Sequence, residues 1–217
     1  QFGRKEYWND FYRDNPSFSW YSGWEDLEPF LTELLHPHHQ ILIPGVGNDN
    51  TLVDMYDAGY HHLTAFDYAP EGIACCQELL GSDRLEAVTL FVGDARDLPP
   101  ELKDATFDAV LEKGTLDAIL LSGGGRNEEN KRLGIQHMEM AVSELSRVLK
   151  PGGIFISISA ICTDALQASS NWSLSNDDGV PMWEVVRDGS LYFTEDGYAS
   201  NNFDGTLLAW RKRMSET

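Results

Sequence analysis

Gly45, Gly47, Asp67 and Asp94 have the types and the spacing to hold a small polar ligand. The two glycines belong to Ile43-Pro44-Gly45-Val46-Gly47-Asn48-Asp49-Asn50, after an apolar run and before a helical stretch. Glycine there lets the backbone turn sharply and approach a ligand closely. Asp67 ends a second apolar run, twenty residues after Gly47. In α/β nucleotide sites an acid at that place accepts both hydroxyls of a ribose diol on one carboxylate. Asp94, in Val92-Gly93-Asp94-Ala95-Arg96, puts another carboxylate after a third run. Its chemistry suits an adenine amino group, with the Ala95 N–H donating to the ring; the alternative is a turn cap, a common use of Asp in loops.

Two cofactor classes share this arrangement. A dinucleotide site carries G-x-G-x-x-G, with the third glycine packing helix on strand beside the pyrophosphate. That third position is Asn50, and Asp49 at the helix start would repel a pyrophosphate. S-adenosylmethionine (SAM) has no phosphate, and its sulfonium cation suits aromatic faces. Tyr7, Trp8, Phe11, Tyr12, Phe18, Trp20, Tyr21 and Trp24 crowd the N-terminus. Some of them have a simpler use in docking a helix by its apolar face. Lys113 either pairs with an acidic neighbour or reaches the carboxylate end of the cofactor.

The elements that must carry these residues alternate strand and helix, the rhythm of an α/β fold with a largely parallel sheet. Residues 25–35 read as an amphipathic helix. Strands are expected at 40–43, 63–67, 88–92, 107–112 and 154–158, with helices at 51–58, from Pro70, and at 131–149, where Pro151-Gly152-Gly153 breaks the chain. Residues 183–187 and 206–210 read as a terminal antiparallel pair with no long helix between them, closing the sheet at one edge. Ser122-Gly123-Gly124-Gly125-Arg126-Asn127 reads as a mobile loop after the fourth strand, where such sheets line their ligand crevice.

The whole chain of 217 residues suits a single domain that buries roughly 70% of its unfolded surface without a disulfide or metal staple. Thirty-five Asp and Glu against 16 Lys and Arg give a net charge of −19. That balance argues against nucleic acid and an anionic membrane, and fits a basic partner. No apolar run reaches the length of a membrane span. The N-terminus lacks a signal peptide's apolar core, and its opening Gln1 is consistent with a domain of something longer. Three cysteines, two of them adjacent, are no disulfide framework, so a reducing cytoplasmic setting is expected. His36, His38, His39, His61 and His62 read as exposed residues rather than metal ligands. Cys75 and Cys76 lack a partner for nucleophilic catalysis.

Three strings carry a family resemblance: Leu111-Glu112-Lys113-Gly114-Thr115-Leu116-Asp117-Ala118, Tyr7-Trp8-Asn9-Asp10-Phe11-Tyr12 and Ile41-Leu42-Ile43-Pro44-Gly45-Val46-Gly47-Asn48. Together they resemble the class I SAM-dependent methyltransferases of the methyltransferase-like 13 group, which includes elongation factor 1-alpha lysine methyltransferases. The resemblance runs from Tyr7 to Arg211 and is weakest between Ala160 and Asn202. It implies a Rossmann-like seven-stranded, mostly parallel sheet with the last strand antiparallel and helices on both faces. One methyltransferase domain over 1–217 is expected, with an aromatic helical cap at 1–36 and the core at 37–217.

The resemblance also implies cofactor contacts from Trp8, Tyr12, Phe18, Gly45, Gly47, Asp67, Tyr68, Asp94, Ala95 and Lys113. Relatives often carry Tyr where Phe18 stands, and Leu-Gly-Cys-Gly-Asn-Ser where this chain has Pro44-Gly45-Val46-Gly47-Asn48-Asp49. The activity implied is methylation of a lysine in a protein, with elongation factor 1-alpha as the substrate, SAM as cofactor and S-adenosylhomocysteine (SAH) as product. Other readings are a small-molecule methyl acceptor, a nicotinamide oxidoreductase and a non-catalytic binding module. No residue is assigned as general base; Glu112, Asp117 and the 123–130 loop are near enough in sequence to contribute.

Overall fold

Strand residues alternate between two apolar layers, and that alternation sets the architecture. The computed structural model describes residues 2–125, 127–160, 182–190 and 206–214. Its elements are α1 (Lys5–Asp14), α2 (Trp24–Leu31), β1 (Ile41–Pro44), α3 (Thr51–Asp57), β2 (Leu63–Asp67), α4 (Pro70–Leu85), β3 (Thr89–Val92), β4 (Phe107–Lys113), α5 (Thr115–Leu120), α6 (Glu128–Val148), β5 (Leu149–Ser159), β6 (Trp183–Ser190) and β7 (Thr206–Lys212). Ile41 and Ile43 of β1 face a layer built from Leu27 and Leu31 of α2, Met55 of α3 and Leu80 of α4. Leu42, between them, faces Met138, Val142 and Leu145 of α6. The period of two in a strand thus puts helices on both faces of one sheet.

The seven strands run in the order β3-β2-β1-β4-β5-β7-β6. β3, β2, β1, β4 and β5 pair in parallel, whereas β7 runs antiparallel to both β5 and β6. This is the Rossmann-like sheet that the resemblance implies, mostly parallel with an antiparallel last strand. The antiparallel pairing of 183–187 with 206–210 holds, but β7 is inserted inside the sheet and β6 forms the edge. The stretch at 191–205, read as lacking a long helix, lies outside the described residues.

Several boundaries move for local reasons. α6 starts at Glu128 rather than Lys131, because the Asn127 side chain accepts the Asn130 N–H at 2.8 Å and caps the helix. α2 ends at Leu31, four residues early. The Pro151-Gly152-Gly153 break ends α6 but not the pairing: Leu149 already sits opposite Phe107, and an irregular stretch with Gly152 at φ +80° precedes the regular register from Ile154. The glycine stretch after β4 begins as a 3-10 turn at Leu121–Gly123 packed on α6, where a Cβ at Gly123 would lie 1.8 Å from the Asn130 carbonyl. Arg126 lies outside the described residues.

Candidate active site

The parallel strands all present their carboxyl ends to one crevice, and the β1–α3 turn opens it. Gly45 and Gly47 have φ of +62° and +60°. A Cβ at Gly45 would fall 2.2 Å from Thr115 Oγ1, and one at Gly47 would fall 3.0 Å from the Tyr12 hydroxyl. Both left-handed backbone and close packing therefore require glycine. The Val46 N–H donates to the Phe66 carbonyl at 3.0 Å, tying the turn to the end of β2.

Asp67 stands at that end, 2% exposed. Its Oδ2 accepts the Gly47 N–H at 3.0 Å and the Tyr12 hydroxyl at 3.3 Å, and its Oδ1 accepts the Ala69 N–H at 2.8 Å. Burial pushes this carboxyl up to about 6, against the opposing pull of those donors. Sequence reasoning missed Gly72, in the first turn of α4. A Cβ there would lie 2.9 Å from the Tyr12 ring and 3.1 Å from Asp67 Cγ, so this glycine makes room for the pair. The signal was a glycine in a helix, and it shows its use only once α1 is docked.

Helix α1 supplies the aromatic wall. Trp8 and Tyr12, one turn apart, stack with centroids 5.6 Å apart. Phe11, Phe18 and Trp20 continue the cluster by edge contacts, Phe18 to Trp20 at 5.1 Å. The Phe18 N–H donates to the Asn48 carbonyl at 3.3 Å, which joins the cap to the glycine turn. Tyr68 follows Asp67 into the same crevice; burial, then the Asp67 charge, raises its hydroxyl above the ordinary range.

On the β3 side, Asp94 lines the cavity and also closes its own turn. Its carboxylate receives the Arg96 N–H at 2.9 Å, Arg96 Nε at 3.0 Å and Nη2 at 2.6 Å. Burial opposes its charge, but Arg96 outweighs it and holds the carboxyl below the usual range. Ala95, buried, lies alongside. Lys113 takes one of its two readings: its ammonium is an ion-pair partner of Asp49 and donates to the carbonyls of Trp20 at 2.8 Å and Ser22 at 3.0 Å. With three donors used, Lys113 clamps the cap to the glycine turn. The Asp49 charge expected at the start of α3 is thereby countered, while its Oδ1 accepts the Thr51 N–H at 2.6 Å.

All ten residues expected at a cofactor line one cavity of about 290 Å³. Asp117 and Tyr21 line it too, whereas Glu112 does not. Glu112 is fully buried beneath, receiving the Ser157 hydroxyl and the Leu116 N–H. Burial, then the neighbouring Asp117, pushes its carboxyl up to about 8. His36, His38 and His39 lie away from the cavity, with ring centroids 4.9–5.6 Å apart. The Cys76 thiol is buried against the Gly47 carbonyl, which raises it far above the ordinary thiol range.

Residues 42–157 match the methyltransferase domain family. Over 161 residues the chain is 32% identical to the mouse eEF1A lysine and N-terminal methyltransferase, covering 73% of this chain and 22% of that protein. It is 30% identical over 163 residues to mouse EEF1A lysine methyltransferase 4, covering 74% of this chain and 62% of that protein. The chain thus spans about a fifth of the first relative and under two thirds of the second. A SAM-dependent methyltransferase from Methanosarcina mazei superposes with a TM-score of 0.59 at 16% identity, covering 86% of this chain and 98% of that one, a likeness of fold. The chain therefore belongs to the methyltransferase domain family, with eEF1A lysine methyltransferases among its sequence relatives.

Proposed function

We propose that this chain transfers a methyl group from SAM to a lysine amine of a protein, releasing SAH, and that the substrate is elongation factor 1A. The observation that carries the reading is the buried Asp67 carboxylate, braced by Gly47 and Tyr12 at the wall of the cavity. A ribose diol donates two O–H bonds to such a group, and bonds to a carboxylate are the stronger kind. The rest of the wall fits the same molecule. Asn48 Oδ1 and Thr51 Oγ1 are buried without a hydrogen-bond partner, and both residues line the cavity. They suit the polar amino-acid end of SAM. Ring faces of Trp8, Tyr12 and Phe18 suit its sulfonium. Ala95 and Asp94, on the β3 side, suit its adenine edge.

SAM, when bound, supplies a methyl carbon on a positively charged sulfur, so its leaving group is already activated. The chain's own residues then bind and align. Asp67 and the glycine turn fix the ribose, and the aromatic wall excludes water. Alignment of this kind supplies much of an enzyme's rate. A lysine must arrive neutral, and desolvation at an apolar wall lowers its pKa.

Both mouse relatives carry eEF1A lysine methylation in their names, which supports the protein-lysine assignment. The net charge of −19 supports a basic partner, drawn in by a field that salt screens. A cytoplasmic setting goes with this reading, Cys75 and Cys76 being free thiols. The test is transfer of labelled methyl from SAM to purified elongation factor 1A and to a eukaryotic cell lysate. Label in elongation factor 1A, mapped to a lysine, is expected. Label in another protein replaces the substrate, label only in small molecules ends the protein reading, and no binding of SAH ends the methyltransferase reading.

A further inference from the structure

Asp117, another carboxylate lining the cavity, is held by parts of the chain that do not touch Asp67. Asp117, in the first turn of α5, is 5% exposed. Its Oδ1 accepts the Ser159 hydroxyl at 2.5 Å and its Oδ2 accepts the Ala160 N–H at 3.0 Å, both at the end of β5. Oδ2 also accepts the Tyr21 hydroxyl, from the segment joining α1 to α2.

Tyr21 reaches it through an unusual backbone. The Ser22 N–H donates to the Trp20 carbonyl at 2.8 Å, closing a three-residue γ-turn, and Tyr21 sits at its centre with φ +64°. Left-handed φ is uncommon for a bulky aromatic residue, and such strain persists only where the surroundings over-determine it. Here they do. Lys113 holds the carbonyls on either side of Tyr21. The Tyr21 ring lies against Gly114, where a Cβ would come 2.8 Å from it.

Asp117 and Asp67 stand apart on the sheet. Asp67 ends β2 and Asp117 lies beside the end of β5, with β1 and β4 between them. At the usual strand spacing that is a separation on the order of 10–15 Å, enough for a ligand to lie between. On the methyltransferase reading Asp67 takes the ribose, and Asp117 lines the same cavity from the β5 side.

We infer that Asp117, aligned by Tyr21, receives the acceptor amine. This rests on the methyltransferase reading and names the missing half of the site. A buried carboxylate beside an aromatic ring draws an ammonium to the mouth of the site in preference to a neutral hydroxyl group. The ammonium gives up one proton to solvent on entering. The neutral amine then donates an N–H to Asp117, which turns the nitrogen lone pair toward the methyl carbon. The N–C bond forms as the methyl–sulfur bond breaks. The electron pair of that bond stays on sulfur as a neutral thioether, and the positive charge passes to the methylated ammonium. Asp117 touches the substrate; Tyr21 is a positioning residue that acts through it.

The experiment uses the full chain with SAH, SAM and n-butylamine, whose alkylammonium stands for a lysine side chain. Calorimetry with SAH is expected to give affinities for Asp117→Asn and Tyr21→Phe within about threefold of the parent, which also reports that both variants fold. On the SAH-loaded protein, n-butylamine is expected to bind saturably, at least tenfold more weakly in Asp117→Asn. Single-turnover methyl transfer is expected to fall at least 100-fold in Asp117→Asn and about tenfold in Tyr21→Phe, with KM for SAM unchanged. A purely structural role would move SAH affinity and KM together with the rate. Unchanged n-butylamine binding in Asp117→Asn overturns the inference, as does a parent-like transfer rate. A parent protein that binds SAH but no amine overturns the inference alone; one that does not bind SAH overturns the methyltransferase reading with it.

Discussion

The Tyr12 hydroxyl lies 3.3 Å from Asp67 Oδ2, joining α1 to the end of β2 across 55 residues of chain. The cap helix is therefore part of the cavity's polar framework as well as its apolar wall. Whatever loosens α1 loosens the carboxylate proposed to hold the ribose.

Asp67 gives SAH binding a direction with pH. Its folded carboxyl titrates at about 6, and a diol donates to the ionised form. Affinity is expected to be full above that pH and about tenfold weaker at pH 5. Asp67→Ala should weaken binding by about 2 kcal/mol or more at pH 7. Calorimetry at pH 5, 6 and 7.5 checks both; a flat profile with unchanged affinity removes Asp67 from the site.

Tyr12→Phe deletes one donor to Asp67 and leaves the ring stack on Trp8 in place. The expected loss of SAH affinity is about 1 kcal/mol at pH 7. With less support for the charged form, the midpoint of the pH profile should move above 6. A downward shift would contradict the geometry.

Gly72→Ala, in the first turn of α4, and Gly81→Ala, at the kink that interrupts α4, separate packing from backbone strain. Gly72 has neighbours at 2.9 and 3.1 Å for a new Cβ, both in the Tyr12–Asp67 pair. The variant is expected to lose about 1–3 kcal/mol of stability through overpacking and to bind SAH more weakly. Gly81 has open space but φ +66°. With ψ 174° this is a backbone region open essentially to glycine alone, so its variant should lose about 1–3 kcal/mol from the backbone, with SAH affinity unchanged. Equal effects on SAH binding would refute the distinction.

Glu112 makes stability fall as pH rises. Its carboxyl is about 8 when folded against an ordinary 4.5, so between those values the unfolded chain releases a proton that the folded chain keeps. Stability from this group is full below 4.5 and is lost toward 8, by at most about 1.4 kcal/mol per pH unit. Glu112→Gln carries no such proton. Its denaturation midpoint should approach the parent's at pH 5 and exceed it at pH 8; parallel curves would show that Glu112 ionises freely.

Much of the cofactor side was legible because it depends on local sequence. Apolar runs mark β1, β2 and β4, and the twenty residues from Gly47 to Asp67 are the length of one helix and one strand. The acceptor side was not, since each part gains meaning only from a distant partner. α5 has six residues, too few for a helical period to declare itself. Tyr21 owes its position to Lys113, 92 residues away, and to a γ-turn that no composition signals. Glu112 and Asp117, near neighbours in one motif, are both buried, and only Asp117 lines the cavity, a difference that the β4–α5 bend decides. Pairing of β6 with β7 was read from two apolar segments with no long helix between them, but the insertion of β7 beside β5 is a matter of strand order, about which periodicity is silent.

The inserted β7 also gives assembly a clock. During synthesis from the N-terminus, β1 to β5 can pair as they emerge, but the outer edge of β5 stays open until residues 206–212 arrive. Open edges invite pairing with other chains. Ser159, which holds Asp117, is the residue of β5 that pairs with Thr206. On the proposed roles of Asp67 and Asp117, the nascent protein therefore completes the cofactor half first, while the acceptor half waits for the strand that covers the β5 edge.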